Sequence, residues 1–156
     1  MNIGAQHVGL EDGASATTHP LVRDSAEIMR LGEIISDYIR SAEKLPEIAS
    51  LNRTKRIQVV SWAHEVIGKE LTIPVATAKL YRRCYEKFGR NEDAICHLKL
   101  GELNMLLSAS DELVAQVIDA KKADPKLGRA AVQKIILEYR LDHGGGVNAA
   151  VARSGD

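Results

Sequence analysis

Aromatic side chains are scarce in this chain of 156 residues, which holds one Trp, four Tyr and one Phe. Any core must therefore be built from Leu, Ile, Val and Ala, and the aromatic part of the usual strand signal is missing. That balance predicts an all-α fold. Cysteine is almost absent too. Cys84 and Cys96 are too few for a disulfide framework and lack the spacing of a zinc site, although Cys96 adjoins His97. No run approaches the roughly 18 consecutive apolar residues of a membrane-spanning helix, and the N-terminus has no basic region followed by an apolar stretch. The expectation is a cytoplasmic protein with no membrane contact.

Catalytic patterns are missing as well. The histidines are His7, His19, His64, His97 and His143, and none pairs with a Ser or Cys in a nucleophile motif. Gly144 to Gly146 lack the preceding strand and the lysine of a phosphate-binding loop. The reading is of a protein that is not an enzyme and uses no cofactor or metal.

A net charge is the last thing lacking: 21 basic and 21 acidic side chains cancel. A neutral total argues against a polyanionic partner, because phosphate neutralisation supplies most non-specific affinity. The distribution reverses that inference. Residues 1–51 hold 4 basic and 8 acidic side chains, residues 52–90 hold 9 and 3, and residues 91–142 hold 7 and 9. A local patch, rather than the total, steers a polyanion.

Residues 1–19 mix Gly, Ala, Ser and Thr without apolar periodicity, and residues 143–156 contain three consecutive glycines. Both ends are expected to be disordered tails around a helical domain over residues 20–142. A first helix is predicted from Asp24 to Ala42, opened by a capping box of Asp24 and Glu27, with Ile28, Leu31, Ile35 and Ile39 on one stripe. A second, Arg53 to Glu70, carries Ile57, Val60, Ala63, Ile67 and Leu71, and Val59, Trp62 and Val66 widen its apolar face. A helix so broadly apolar is expected deep in the fold. A third begins near Pro74 and ends at Gly89, read as a left-handed cap. After an acidic turn at Asn91, Glu92 and Asp93, shorter helices are predicted at Leu100–Leu107, Asp111–Lys122 and Leu127–Arg140.

The most informative stretch is HEVIGKELTIPVATAKLYRR, His64 to Arg83. A helix-turn-helix needs a small residue where its two helices cross and apolar residues that pin the crossing. Gly68 meets the first need; Ile67, Leu71, Ile73, Ala78 and Tyr81 meet the second. The turn position that favours glycine is Thr72, so either a β-branched residue is held in a left-handed backbone or the turn has another shape.

On this reading the helix Val75–Phe88 enters the major groove of double-stranded DNA. Val75, Thr77 and Lys79 lie near its N-terminus, where side chains reach base edges. Arg82, Arg83 and Lys87 are assigned to phosphates, and Arg53, Lys55 and Arg56 to the flanking backbone. Thr77, Lys79, Arg82 and Arg83 are expected to be exposed.

The segment VIGKELTIPVATAKLYRRC, followed by LKLGELNMLLSASDELVAQVIDA and LGRAAVQKIILEYR, resembles the central DNA-binding region of ParB- and KorB-type proteins over roughly residues 56–140. The first 55 residues show no counterpart of that family's nucleotide-binding region, and Gly101-Glu102 stands where the family often has Gly-His. The resemblance implies a helical DNA-binding unit, such as a repressor or a plasmid or phage accessory factor. A lone helix-turn-helix makes few base contacts, so a homodimer is expected, with the first helix as its interface. The alternative is an interaction module that binds and antagonises another regulatory protein, a transcription factor or polymerase.

Overall fold

The structure is a computed structural model that describes residues 23–143. Among the described residues there are eight helices and no strand. The expectations for residues 1–19 and 144–156 lie outside the described residues.

Helix α1 spans Ser25–Lys44. Asp24 Oδ1 accepts from the Glu27 amide at 2.8 Å, satisfying one of the free N–H groups at the helix start. The return half of the expected capping box is absent, because the Glu27 carboxylate pairs with Arg30 at 2.9 Å instead. Pro46 opens a single turn, α2 (Pro46–Ala49), rather than merely interrupting the chain. Helix α3 runs Arg53–Leu71 behind an Asn52 cap, and α4 runs Val75–Phe88. The expected acidic turn is a short helix, α5 (Glu92–His97), because Asn91 Oδ1 caps the Ala94 amide at 3.0 Å and two acids follow in the first turn. Helices α6 (Leu100–Met105), α7 (Asp111–Ala123) and α8 (Arg129–His143) complete the described chain.

Helix α1 packs against both α4 and α3, which also pack on each other, giving a three-helix unit. Its apolar stripe, Ile28, Leu31, Ile35 and Ile39, is buried inside that unit. The stripe is therefore consumed within the chain and is not the free interface expected for a homodimer. Gly32 permits the closest approach: a Cβ there would lie 2.3 Å from the Tyr81 carbonyl oxygen and 2.6 Å from Tyr85 Cβ. Helices α5 to α8 form the rest of the core, with α7 against α5 and α8, α6 against α8, and α4 touching α5 and α6.

One ion pair is interior. Lys121 Nζ donates to Glu102 Oε2 at 3.0 Å and to the Leu127 carbonyl at 2.9 Å, while Glu102 Oε1 accepts from the Lys99 amide at 2.9 Å. Both side chains are buried, and each charge keeps several partners, which is the condition for burying ions at tolerable cost. Glu102 thus ties α6 to α7, and Lys121 ties both to the linker before α8.

Two expectations are corrected. Helix α3 is not deep in the fold: among its residues Ala63, His64, Ile67 and Gly68 are buried, whereas Ile57 is 57% and Trp62 63% exposed. Breadth of apolar character reflects here two separate faces, of which only one meets the core. Gly89 is not left-handed either, with φ −60° and ψ −20°. It is small because a Cβ would lie 2.6 Å from the Tyr85 carbonyl oxygen.

Candidate nucleic-acid interface

The turn between α3 and α4 resolves the question left by Thr72. Its backbone sits at φ 60° and ψ 46°, the sole non-glycine residue with positive φ among the described residues. The Thr72 amide donates to Lys69 O at 3.2 Å and the Ile73 amide to Gly68 O at 2.9 Å. This nested pair closes a helix on a left-handed residue, and an apolar contact just past the end usually accompanies it. Ile73 and Ile67 are both buried here. Gly68 is held small by the same turn, since a Cβ would lie 3.0 Å from the Ile73 carbonyl oxygen.

The crossing is pinned by Ile67, Ile73, Ala78 and Tyr81, all buried, with Leu71 partly buried against them. The Tyr81 hydroxyl accepts from Arg23 Nη1 at 3.2 Å. These contacts fix how α4 presents its outer face.

That face carries Val75, Lys79 and Arg83 at spacing i, i+4, i+8, with Ala76 beside them; all four are exposed. Thr77 does not join them. It lies towards the opposite side of α4 and is half-buried. Arg53, Lys55 and Arg56 are exposed in the first turn of α3, which contains no acid. Cations at a helix N-terminus oppose the helix dipole, so their placement works against local stability and suits an external anion. Arg90, exposed just past α4, was not singled out from the sequence, although it continues the same basic run.

The remaining two cations are engaged. Arg82 is half-buried, its Nε 2.8 Å from Glu86 Oε2, which also accepts from Ser36 Oγ at 3.2 Å. Lys87 is half-buried too, and its Nζ donates to the Ala109 carbonyl at 2.7 Å. Neither is free for the phosphate contact assigned to it, because Arg82 is held by Glu86 on its own helix and Lys87 by the Ala109 carbonyl. Arg83 is the exposed one of the three.

Beneath Arg82 lies His64, buried on α3. Its Nδ1 is 2.8 Å from the Val60 carbonyl and its Nε2 is 3.5 Å from Arg82 Nη1. With Nδ1 donating to the carbonyl, Nε2 is left as the acceptor. Burial holds the imidazole below its ordinary range, against the Val60 carbonyl, which raises it; the Arg82 and Lys79 charges lower it further and Glu86 opposes them. A chain of polar contacts thus runs from α3 through α4 to Ser36 on α1. Nothing in the sequence marked His64 as a buried partner of Arg82, because its role depends on which residue packs above it.

Cys84 is buried, and burial pushes its thiol up to about 11, so it stays protonated and unreactive at neutral pH. Among the described residues no group of three or more His, Cys, Asp or Glu could hold a metal ion, and no helix is long and apolar enough to cross a membrane. The chain matches no family model, no curated protein and no solved structure.

Proposed function

We propose that the chain is a sequence-specific binder of double-stranded DNA, a transcriptional regulator or a plasmid or phage accessory factor, that reads the major groove with α4. The observation that carries this reading is the joint between α3 and α4. A strained left-handed residue, a glycine crossing and an apolar pin together hold out a helix whose exposed face is Val75, Ala76, Lys79 and Arg83. The resemblance of residues 56–140 to the DNA-binding region of ParB- and KorB-type proteins points the same way, as does the basic surplus of residues 52–90. In this reading Lys79 and Val75 meet base edges, while Arg83, Arg53 and Arg56 meet phosphates.

Titrating duplexes from the gene's own neighbourhood at several salt concentrations tests it. Arg83→Ala is expected to weaken binding to every duplex and to reduce the salt slope by about one phosphate contact. Lys79→Ala is expected to change the preference among sequences by about 1–3 kcal/mol. If both variants stay folded and bind like the parent, α4 does not read DNA. The second reading, a module that antagonises a transcription factor or polymerase, is favoured by one observation, the exposed Trp62 on α3. It predicts no steep loss of duplex binding as salt rises, because there is none to lose.

A further inference from the structure

Helix α3 has a second apolar stripe that the core does not use. Val60, Ala63, His64, Ile67 and Leu71 face α1 and α4, whereas Val59, Trp62 and Val66, at spacing i, i+3, i+7, lie together on the opposite side. Trp62, the sole tryptophan in the chain, is 63% exposed. Val59 and Val66 are half-buried beside it without belonging to the core. Tryptophan is enriched among the central residues that carry most of the binding energy of protein interfaces.

The charges at the two ends of the stripe say which partner fits. Lys55 lies one turn before Val59, and Glu70 one turn after Val66; both are exposed and neither takes part in an ion pair among the described residues. Read along α3, the stripe is Lys55, Val59, Trp62, Val66, Glu70. Reversed, it is complementary to itself. We propose that this stripe is the contact between two copies of the chain, paired antiparallel about a two-fold axis near Trp62. Val59 then opposes the partner's Val66, Lys55 opposes the partner's Glu70, and the two indoles meet at the axis. A parallel arrangement would instead set Lys55 against its own copy.

Arg53 and Arg56 lie off this stripe by helical spacing, so they stay open to phosphate while Lys55 is withdrawn from the DNA-facing set. The pairing gives the DNA-binding reading its second half-site and rests on that reading for its use, but it is measured without DNA. One helix face falls short of the roughly 1,200–2,000 Å² that stable complexes bury. The free protein is therefore expected to exchange between monomer and dimer, with an inverted repeat raising the local concentration of the second copy.

Sedimentation of the full chain from about 1 to 300 μM, read alongside Trp62 emission, tests the proposal, since ~1 μM to ~1 mM brackets weak association. The expected result is a reversible dimer whose emission shifts to shorter wavelength as it forms, because the indole leaves water. Trp62→Glu should weaken association at least about tenfold, as loss of a central aromatic does, with the helical circular dichroism unchanged. Lys55→Glu and Glu70→Lys should each weaken it, and the double variant should restore it to within about twofold, the signature of a direct pair. Three results overturn the idea: a monomer with solvent-like emission throughout, a Trp62→Glu variant that associates like the parent, or a double exchange that restores nothing. Loss of DNA binding with the dimer intact would instead refute the groove-reading role of α4 alone.

Discussion

Replacing Thr72 by glycine should make this protein more stable. An L-residue in the left-handed region costs about 1–2 kcal/mol, and Thr72 occupies that region at φ 60°, ψ 46°. Glycine removes the steric term but enlarges the freedom of the unfolded chain, a loss of about 0.4–1 kcal/mol. Thr72 is exposed, so little packing is forfeited, and the two closing hydrogen bonds are made by backbone amides that survive the change. The middles of the two ranges differ by about 0.8 kcal/mol in favour of glycine, which in a chain of this size raises the melting temperature by about 2–3 °C. Urea unfolding followed by circular dichroism measures it. The midpoint should rise at constant slope, with Thr72→Asn between parent and glycine because Asn tolerates the left-handed region better than Thr. Duplex affinity should not fall, since α4 keeps its orientation. A glycine variant equal to or less stable than the parent would mean that the turn does not hold this backbone in solution, and the geometry that presents α4 would lose its basis.

Gly32→Ala should destabilise the fold in spite of alanine's advantage of about 1 kcal/mol in a helix. The new Cβ would lie 2.3 Å from the Tyr81 carbonyl oxygen, so forcing α1 from α4 is expected at the upper end of the usual overpacking cost of about 1–3 kcal/mol, a net loss of about 1–2 kcal/mol seen as a lower urea midpoint. Lys121→Met should lose about 3–5 kcal/mol by stranding the buried Glu102 carboxylate, and the double change with Glu102→Leu should recover most of it; a double variant no better than the single would deny the pairing. Because burial lowers the His64 imidazole below its unfolded value near 6.5, the unfolded chain takes up the proton first. This part of the stability is complete above that value and is lost as pH falls below it. The fall in urea midpoint from pH 7.5 to 5.5 should therefore be smaller in His64→Gln than in the parent, and equal falls would refute the assignment. Arg82→Ala should lower stability as well as any DNA affinity, because the side chain joins Glu86 and His64, whereas Arg83→Ala should leave the unfolding free energy within about 0.5 kcal/mol of the parent.

Local signals were written plainly in the chain. Asp24 and Ser110 each cap a helix through their own side chain, and Gly68, Ile73, Ala78 and Tyr81 outline the α3–α4 crossing, because caps and periodicity act over one or two turns; Asn52 and Asn91 cap in the same way but were not read as caps. The left-handed Thr72 was legible as a choice between strain and a different turn, and packing decided it: burying Ile73 against the first helix of the pair holds the backbone where its own preference would not. What the sequence could not assign was the use of each face. Val59, Trp62 and Val66 have the composition of a core stripe, yet α1 and α4 cover only the opposite side of α3. Arg82, Arg83 and Lys87 look alike along the chain, but one is held by Glu86, one by the Ala109 carbonyl, and one is exposed. His64 and Glu102 become buried partners only because residues 18 and 19 positions away fold onto them. Helix ends and periods are local properties of the chain, whereas burial and pairing depend on which distant element arrives, and that is decided by tertiary packing.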